Sequence, residues 1–304
     1  MVSSSPAVVL SREHWQALQE SHVVRADELT AEHRQRVARH EKHPVWDFLF
    51  TYYSYKPSVI RRWHPGAGTV LEDAADAPQT AWRWYELVAD SHDVRVDTES
   101  FWRDRGDSAR QVLALLSATA SRPARFGCFG MHEWAMVYRQ QHHRHSAPLR
   151  LGQTGTDDVV EAHDLRCTHF DAFRFFTPEA EPRNEQLLTR DSQPLLEQPG
   201  CLHAGMDLYK WALKLGPLVP GAVLLDSFEL ARDIRELDMR ASPYDLTEWG
   251  FSPIPVETAE GKAEYVRQQR AFADRGQRLR RDLITAVALS QPSTDRDVVP
   301  LAGR

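Results

Sequence analysis

The sequence lacks a long apolar run. None of its 304 residues fall in a stretch of about 18 consecutive apolar residues, which argues against a membrane-spanning helix. The opening MVSSSPAVVLSREHW also lacks the basic start and sustained apolar segment of a signal peptide. We therefore expect a cytoplasmic location and no membrane partner.

Cysteine is scarce as well. The chain has three cysteines, Cys128, Cys167 and Cys201, and no two of them form a C-x-x-C pair. Such few and scattered residues do not make a disulfide framework, so the sequence predicts reduced thiols.

Positive charge is in the minority, with 37 Lys and Arg against 43 Asp and Glu and a net charge of −6. This balance argues mildly against nucleic acid, because phosphate binding depends on Lys and Arg. Two local basic clusters stand out, YKPSVIRRWHPG at 55–66 and a second one that includes His142, His143, Arg144 and His145. Clustered charge usually faces water, but a phosphate-bearing ligand stays an alternative.

Several catalytic signatures are missing. The sequence contains no Walker A loop, no G-x-S-x-G, no H-E-x-x-H, and no G-x-G-x-x-G after a strand. None of the corresponding site classes is therefore indicated, and function has to be inferred from less regular patterns.

The apolar periodicity is mostly helical. Val45, Phe48, Leu49 and Tyr52 recur at helical spacing after Pro44 and predict a buried helix. Further helices are predicted over 13–41, near 80–89, over 98–122, after the glycine turn at 127–130, from 201, and over 221–240 and 258–289. The best strand candidates, LRLGQ and LRCTHFDAFRFF, lie between 149 and 177.

These elements predict a mainly α protein with a single large helical domain and a minor β element in the 149–177 region. The domain is expected to span 13–290. Flexible tails are expected at 1–12 and 291–304.

Acidic and imidazole side chains recur among large apolar residues in MHEW, THFDAFRFF, CLHAGMDLYKW and WHPG. His203 and Asp207 are four residues apart on a predicted helix and share a face, and His169 and Asp171 share a side if extended. A carboxylate beside an imidazole is typical of acid and base catalysis. We expect these blocks to meet in one histidine-rich pocket, with the candidate catalytic residues Glu133, His169, Asp171, His203 and Asp207.

Two alternatives stay open. The same residue types bind transition metals. The second hypothesis is therefore an enzyme acting on a small molecule, with one or two Fe, Mn or Zn ions held by His132, Glu133, His169, Asp171, His203 and Asp207. The chain is alternatively a noncatalytic helical binding protein, because buried polar groups are usually only hydrogen-bonded and buried rings usually only packed.

Four blocks, HPVWDFLFTYYSYKPSVIRRWHPG, CTHFDAFRFFTPEA, QPGCLHAGMDLYKWA and LDMRASPYDL, are similar to the signature blocks of a bacterial family commonly labelled 3-methyladenine DNA glycosylase. The resemblance covers roughly residues 42–246. It implies a hydrolase of N-glycosidic bonds in DNA repair, acting on a modified nucleobase, a nucleoside or damaged DNA, with no cofactor and no obligate protein partner. It assigns no catalytic residue.

Such an enzyme holds the base between aromatic side chains and stabilises an oxocarbenium-like sugar with a carboxylate. The aromatic and cationic residues near the polar blocks are therefore candidate substrate-binding residues: Tyr53, Arg62, Trp63, Trp134, Phe175, Tyr209 and Lys210. For most of the rings, core packing is the competing interpretation.

Overall fold

The structure, a computed structural model, describes residues 7–141 and 147–292. The second basic cluster, with His142, His143, Arg144 and His145, lies outside the described residues, as do 1–6 and 293–304 of the two predicted tails. No helix among the described residues combines the length and the apolar character needed to cross a membrane.

The described residues are mainly α-helical, which confirms the predicted fold class. The α-helices are α1 Arg12–Ala38, α2 Phe48–Tyr52, α3 Pro57–Ile60, α4 Thr98–Ala120, α5 Met131–Ala135, α6 Gly152–Glu161, α7 Phe170–Phe173, α8 Gln193–Leu196, α9 Leu202–Leu215, α10 Gly221–Arg240 and α11 Ala259–Ser290. Short 3-10 turns cover Pro78–Ala81, Glu181–Arg183, Gly216–Leu218 and Thr247–Trp249.

Two of the long helices, α4 and α11, begin at side-chain caps. Asp97 accepts a hydrogen bond from the Ser100 amide at 2.9 Å at the start of α4. Thr258 accepts one from the Gly261 amide at 3.1 Å at the start of α11. Each cap satisfies an amide that has no partner within the helix, which is why these starts agree with the predicted ones.

Helix α9 is central, because it packs against α10 and α11, and α11 also packs against α4. Two glycines permit this close approach. A Cβ added to Gly205 would lie 2.9 Å from Ile234 Cδ1 on α10, and the Gly205 Cα is 3.9 Å from where a Gly276 Cβ would stand. Without side chains at these two positions, α9 lies close to both α10 and α11.

The β structure is a four-stranded sheet formed by β1 Val8–Leu10, β2 Thr69–Leu71, β3 Tyr85–Leu87 and β4 Val94–Val96, in the order β1-β2-β4-β3. The β1–β2 pair is parallel and the other pairs are antiparallel. A small separate core containing Trp15, Trp63 and Leu71 packs beside the sheet.

The predicted place of the minor β element is wrong. Residues 149–177 contain α6 and α7, and their only described β contacts are single bridges at Leu149 and Leu165. The rings that suggested strands, Phe173 and Phe176, are buried in the main helical core instead, 3% and 6% exposed. Aromatic content reflected burial here, and burial does not distinguish a strand from a helical turn.

Other predicted boundaries also differ. The helix predicted near 80–89 is a 3-10 turn followed by β3, and the helix predicted after Pro44 is shortened to α2. Val8–Leu10, within the predicted N-terminal tail, forms β1. The three cysteines are free, as predicted.

Candidate functional site

Residues from three helical segments meet in one region of the core. His132 and Glu133 lie on α5, His169 immediately precedes α7, and His203 lies on α9. Gly130 immediately precedes helix α5 and has a φ of +71°, a backbone conformation that glycine adopts without strain. A Cβ added at this position would lie 3.2 Å from the Tyr265 ring. The glycine turn therefore allows α5 to pack closely, with His132 and Glu133 buried.

Three histidine rings lie in a row through this region, with an edge-on contact between His132 and His203 and a parallel one between His203 and His169; we call this row the stack. The rings of His132 and His203 have centroids 4.3 Å apart at 80°, and those of His169 and His203 have centroids 5.4 Å apart at 19°. His132 and His169 are buried, 3% and 1% exposed. The predicted convergence of imidazoles from distant segments is present in the structure.

A charged group that we name the α10 cluster lies at one end of the stack and consists of His132, Glu133, Arg235 and Asp238. His132 Nε2 is 2.8 Å from Asp238 Oδ1. Arg235 donates to Glu133 Oε1 at 2.9 Å and to Asp238 Oδ2 at 3.3 Å, and its guanidinium lies 4.0 Å from the centroid of the Phe48 ring. Burial opposes the charge on His132, but Asp238 outweighs it and raises the pKa of His132 well above its ordinary value.

A second charged group, the α9 cluster, lies at the other end and consists of His169, Glu197, Asp207 and Lys210. His169 Nδ1 is 3.2 Å from Glu197 Oε2, and His169 Nε2 is 3.5 Å from Asp207 Oδ2. Lys210 pairs with Asp207 Oδ2, while Tyr53 donates to Asp207 Oδ1 at 2.9 Å. Burial disfavours the imidazolium, yet Glu197 and then Asp207 raise the pKa of His169.

His203, between the two clusters, is electrostatically different. Burial and the nearby His132 lower its pKa well below the ordinary value of 6.5. The ring is therefore neutral at pH 7, in contact with two histidines whose pKa values are raised. A neutral imidazole can donate at one nitrogen and accept, or bind a metal, at the other.

A cleft of about 450 Å³ opens over the stack. Its lining combines aromatic rings with charged groups: Phe48, Thr51, Tyr52, Glu133, Met136, Asp171, Ala172, Arg174, Phe175, His203, Arg235 and Tyr244. Among the residues proposed from sequence as catalytic, Glu133, Asp171 and His203 face this cleft. His169 and Asp207 lie behind it in the α9 cluster.

Asp171 is the most accessible of these carboxylates but is surrounded by cations. Arg174 Nε and Arg190 each lie 3.3 Å from its Oδ1, and Lys210 Nζ is 3.5 Å from its Oδ2. Its side chain is 11% exposed. These three cations hold the carboxylate in place at the cleft wall.

The predicted substrate-binding residues divide into two sets. Phe175 lines the cleft, and Tyr53 and Lys210 support Asp207 beneath it. Trp134 and Tyr209 are fully buried; the Trp134 indole donates to the Ala241 carbonyl at 2.9 Å. These two rings have the packing role that the sequence left open.

The predicted substrate-binding residues Arg62 and Trp63 lie elsewhere. Trp63 belongs to the small core beside the sheet, and the Arg62 guanidinium lies 5.6 Å from the centroid of the Trp82 ring. Neither lines the cleft.

Sequence reasoning missed several charged partners, above all Arg235, Asp238 and Glu197. Burial of Asp238 could have been predicted, because it lies four residues after Ile234 on the apolar face of α10. Glu197 lies directly after α8 and had no comparable signal.

The six residues proposed as metal ligands do not form one set of neighbouring donors. His132 and His203 group with Asp238, whereas His169, Asp171 and Asp207 form a second group, and Glu133 belongs to neither. In the second group, the Lys210 ammonium already contacts both carboxylates.

Comparison with models of protein families, with curated proteins and with solved structures found no match. The resemblance to the glycosylase-labelled family therefore stays a prediction.

Proposed function

We propose that the cleft hydrolyses the N-glycosidic bond of a nucleoside whose base is positively charged through alkylation. The observation that supports this most is the meeting of Asp171, Glu133 and neutral His203 with aromatic rings in one cleft. The reaction needs aromatic surface to contact the base and a carboxylate to stabilise the sugar, and the lining of the cleft contains both.

The cleft suits a nucleoside in size and character. Its volume of about 450 Å³ lies within the range of small-molecule sites. Phe48 and Tyr52 stack on each other with centroids 5.0 Å apart, and Phe175 and Tyr244 add further ring surface. A cationic base gains cation–π attraction from such rings.

An alkylated, cationic base also simplifies the chemistry. When the C1′–N bond breaks, its electron pair moves to the base, which departs neutral without needing a proton donor. The sugar is left as an oxocarbenium ion, which the Asp171 carboxylate stabilises by its negative charge. Water adds to C1′, and Glu133 accepts the proton that the water loses.

The supporting residues hold these groups in place. Arg235 bonds Glu133 Oε1 and fixes the orientation of its carboxylate, and Lys210 links Asp171 to the buried Asp207. Neutral His203 can donate a hydrogen bond at one ring nitrogen and accept one at the other.

Charge favours a nucleoside over duplex DNA as the substrate. The chain carries a net charge of −6, and the described arginines nearest Asp171, Arg174 and Arg190, are paired with that carboxylate. DNA binding depends on cations that are free to neutralise phosphates. DNA therefore belongs in the test as a comparison substrate.

The test is release of free base, measured by chromatography, from 7-methylguanosine, from uncharged guanosine and from methylated duplex DNA. We expect release from 7-methylguanosine and about 10²–10⁴-fold less with Asp171→Asn, the range for loss of a catalytic carboxylate. The matched control is Asp164→Asn, whose side chain is 80% exposed and pairs with Arg166 outside the cleft.

Two results would refute the proposal. One is base release that Asp171→Asn leaves unchanged. The other is binding of 7-methylguanosine with no release from any of the three substrates, which would mark the cleft as a noncatalytic binding site.

A further inference from the structure

Two buried atoms in the α10 cluster, an imidazole nitrogen and a carboxylate oxygen, form an ion pair that lacks hydrogen-bond geometry. His132 Nε2 and Asp238 Oδ1 are 2.8 Å apart, yet neither has a partner with hydrogen-bond geometry among the described residues. Their residues are 3% and 0% exposed. Buried polar atoms are usually hydrogen-bonded, so the poor alignment of this pair leaves both atoms available to a further group beside them.

A third donor stands beside the pair. One ligand atom each from His132, His203 and Asp238 lies within 4.8 Å of the other two. His203 also lines the cleft, so the three ligand residues are buried on one side and border the cleft on the other. None of the three belongs to the cation-filled group around Lys210.

From this geometry we infer that His132, His203 and Asp238 bind one divalent first-row transition-metal ion. Two ligand atoms each about 2.1 Å from an ion lie about 3 Å apart when their bonds meet at a right angle, as in octahedral coordination, and about 3.4 Å apart at the tetrahedral angle. The observed 2.8 Å between His132 Nε2 and Asp238 Oδ1 is close to the first of these separations. Two such bonds span at most about 4.2 Å, so a small rotation of the His203 ring brings the third donor into range.

The surroundings support the same assignment. Arg235 holds Asp238 Oδ2 at 3.3 Å, which occupies one carboxylate oxygen and directs Oδ1 toward His132. Cys128 Sγ is 3.9 Å from His132 Nδ1, the ring nitrogen that points away from the proposed ion. Neighbours that orient ligating side chains in this way are characteristic of metal centres.

The donor set selects the kind of ion. Two imidazoles and one carboxylate, with further positions open toward a cleft, suit Zn²⁺ and Fe²⁺, whereas Ca²⁺ and Mg²⁺ prefer sites made of oxygen donors. The group of His169, Asp171 and Asp207 is not assigned an ion, because the Lys210 ammonium contacts both of its carboxylates.

Metal binding is tested on the full chain without substrate. The chelator-treated protein is titrated with Zn²⁺, with Co²⁺ and, without oxygen, with Fe²⁺; bound metal is counted by elemental analysis and affinity is measured by calorimetry. We expect one ion per chain, a visible d–d absorption with Co²⁺, and at least about 100-fold weaker binding by Asp238→Asn, since even a supporting neighbour is worth up to that much.

The control is Asp233→Asn, the same substitution on the same helix, at a side chain that pairs with Arg275 and is 33% exposed. It should bind metal as the unaltered chain does. If circular dichroism shows Asp238→Asn unfolded, the half-buried His203→Gln replaces it, with the same expected loss.

The inference is overturned if the unaltered chain binds no ion at micromolar concentrations. It is equally overturned if the folded Asp238→Asn or His203→Gln variant keeps full affinity. Because no substrate is used, either result is independent of the proposed hydrolysis. A bound ion together with no base release would favour the alternative of a metal-dependent enzyme acting on another small molecule.

Discussion

Removing the charge of Asp207 should destabilise the protein far more than removing an exposed charge. Asp207 is 2% exposed and contacts Tyr53, Lys210 and His169. Asp207→Asn keeps the shape and one acceptor oxygen, but it leaves Lys210, whose side chain is 14% exposed, without its nearest carboxylate. Breaking a buried ion pair by removing one partner costs about 3–5 kcal/mol, so we expect a loss of that size.

The assay is equilibrium unfolding in urea, followed by the fluorescence of the nine tryptophans. The control is Asp27→Asn, which removes a pair with Arg61 whose side chains are 37% and 52% exposed. Such an exposed pair is worth about 0.2–1 kcal/mol. The free energies of unfolding of the two variants should therefore differ clearly, while their dependence on urea concentration stays the same.

A double variant separates loss of the pair from loss of shape. Asp207→Asn combined with Lys210→Met removes both charges, so no buried ammonium is left beside a neutral amide. We expect it to be less destabilised than the sum of the two single variants. If Asp207→Asn loses no more than the Asp27→Asn control, the reasoning that the α9 cluster is a tightly coupled buried network is refuted.

Three further outcomes are expected. Thr258→Ala should lower the free energy of unfolding by about 1 kcal/mol through loss of the α11 cap, whereas Thr258→Ser should retain it. Gly205→Ala should cost about 1–3 kcal/mol, because its Cβ would lie 2.9 Å from Ile234 Cδ1, and Ile234→Val should recover part of the loss. Glu197→Gln should lower the pKa of His169, followed by NMR, since burial then acts with less opposition.

The pH dependence of the Glu197→Gln effect has a definite sign. The pKa of His169 is raised above 6.5, so its contribution to stability is present below that pH and is lost as pH rises through the raised value. The pKa of Glu197 is lowered from 4.5, where burial is outweighed by His169, so its contribution is present above 4.5 and is lost as pH falls through the lowered value. The stability difference between the unaltered chain and the variant should be largest between pH 4.5 and 6.5. A difference that grows steadily toward high pH would contradict this assignment.

The sequence was sufficient to predict those helices whose formation depends mainly on interactions between residues close in the chain. Helices α4 and α11 follow from apolar periodicity together with caps at Asp97 and Thr258, and α10 follows from its buried stripe. The sheet was missed because its strands are three residues long, too short to show a period. Strand β1 pairs with β2, which lies about sixty residues later, and only the tertiary fold decides such a pairing.

The site was partly foreseeable for a related reason. Histidines and carboxylates placed among large apolar residues had to be paired if buried, which predicted that the blocks around His132, His169 and His203 would meet. Their partners were harder to foresee, because Glu197 reaches His169 from a separate segment. The division between groups that face the cleft, such as Asp171, and groups beneath it, such as Asp207, depends on how α7 packs over α9 and has no local signature.

The most direct measurement is the rate at which the purified chain frees 7-methylguanine from 7-methylguanosine, compared between the unaltered chain, Asp171→Asn and Asp164→Asn. The proposed chemistry requires release by the unaltered chain and by Asp164→Asn, and a rate about 10²–10⁴-fold lower with Asp171→Asn. Equal rates for all three proteins, or no release by any of them while the nucleoside binds, would contradict it.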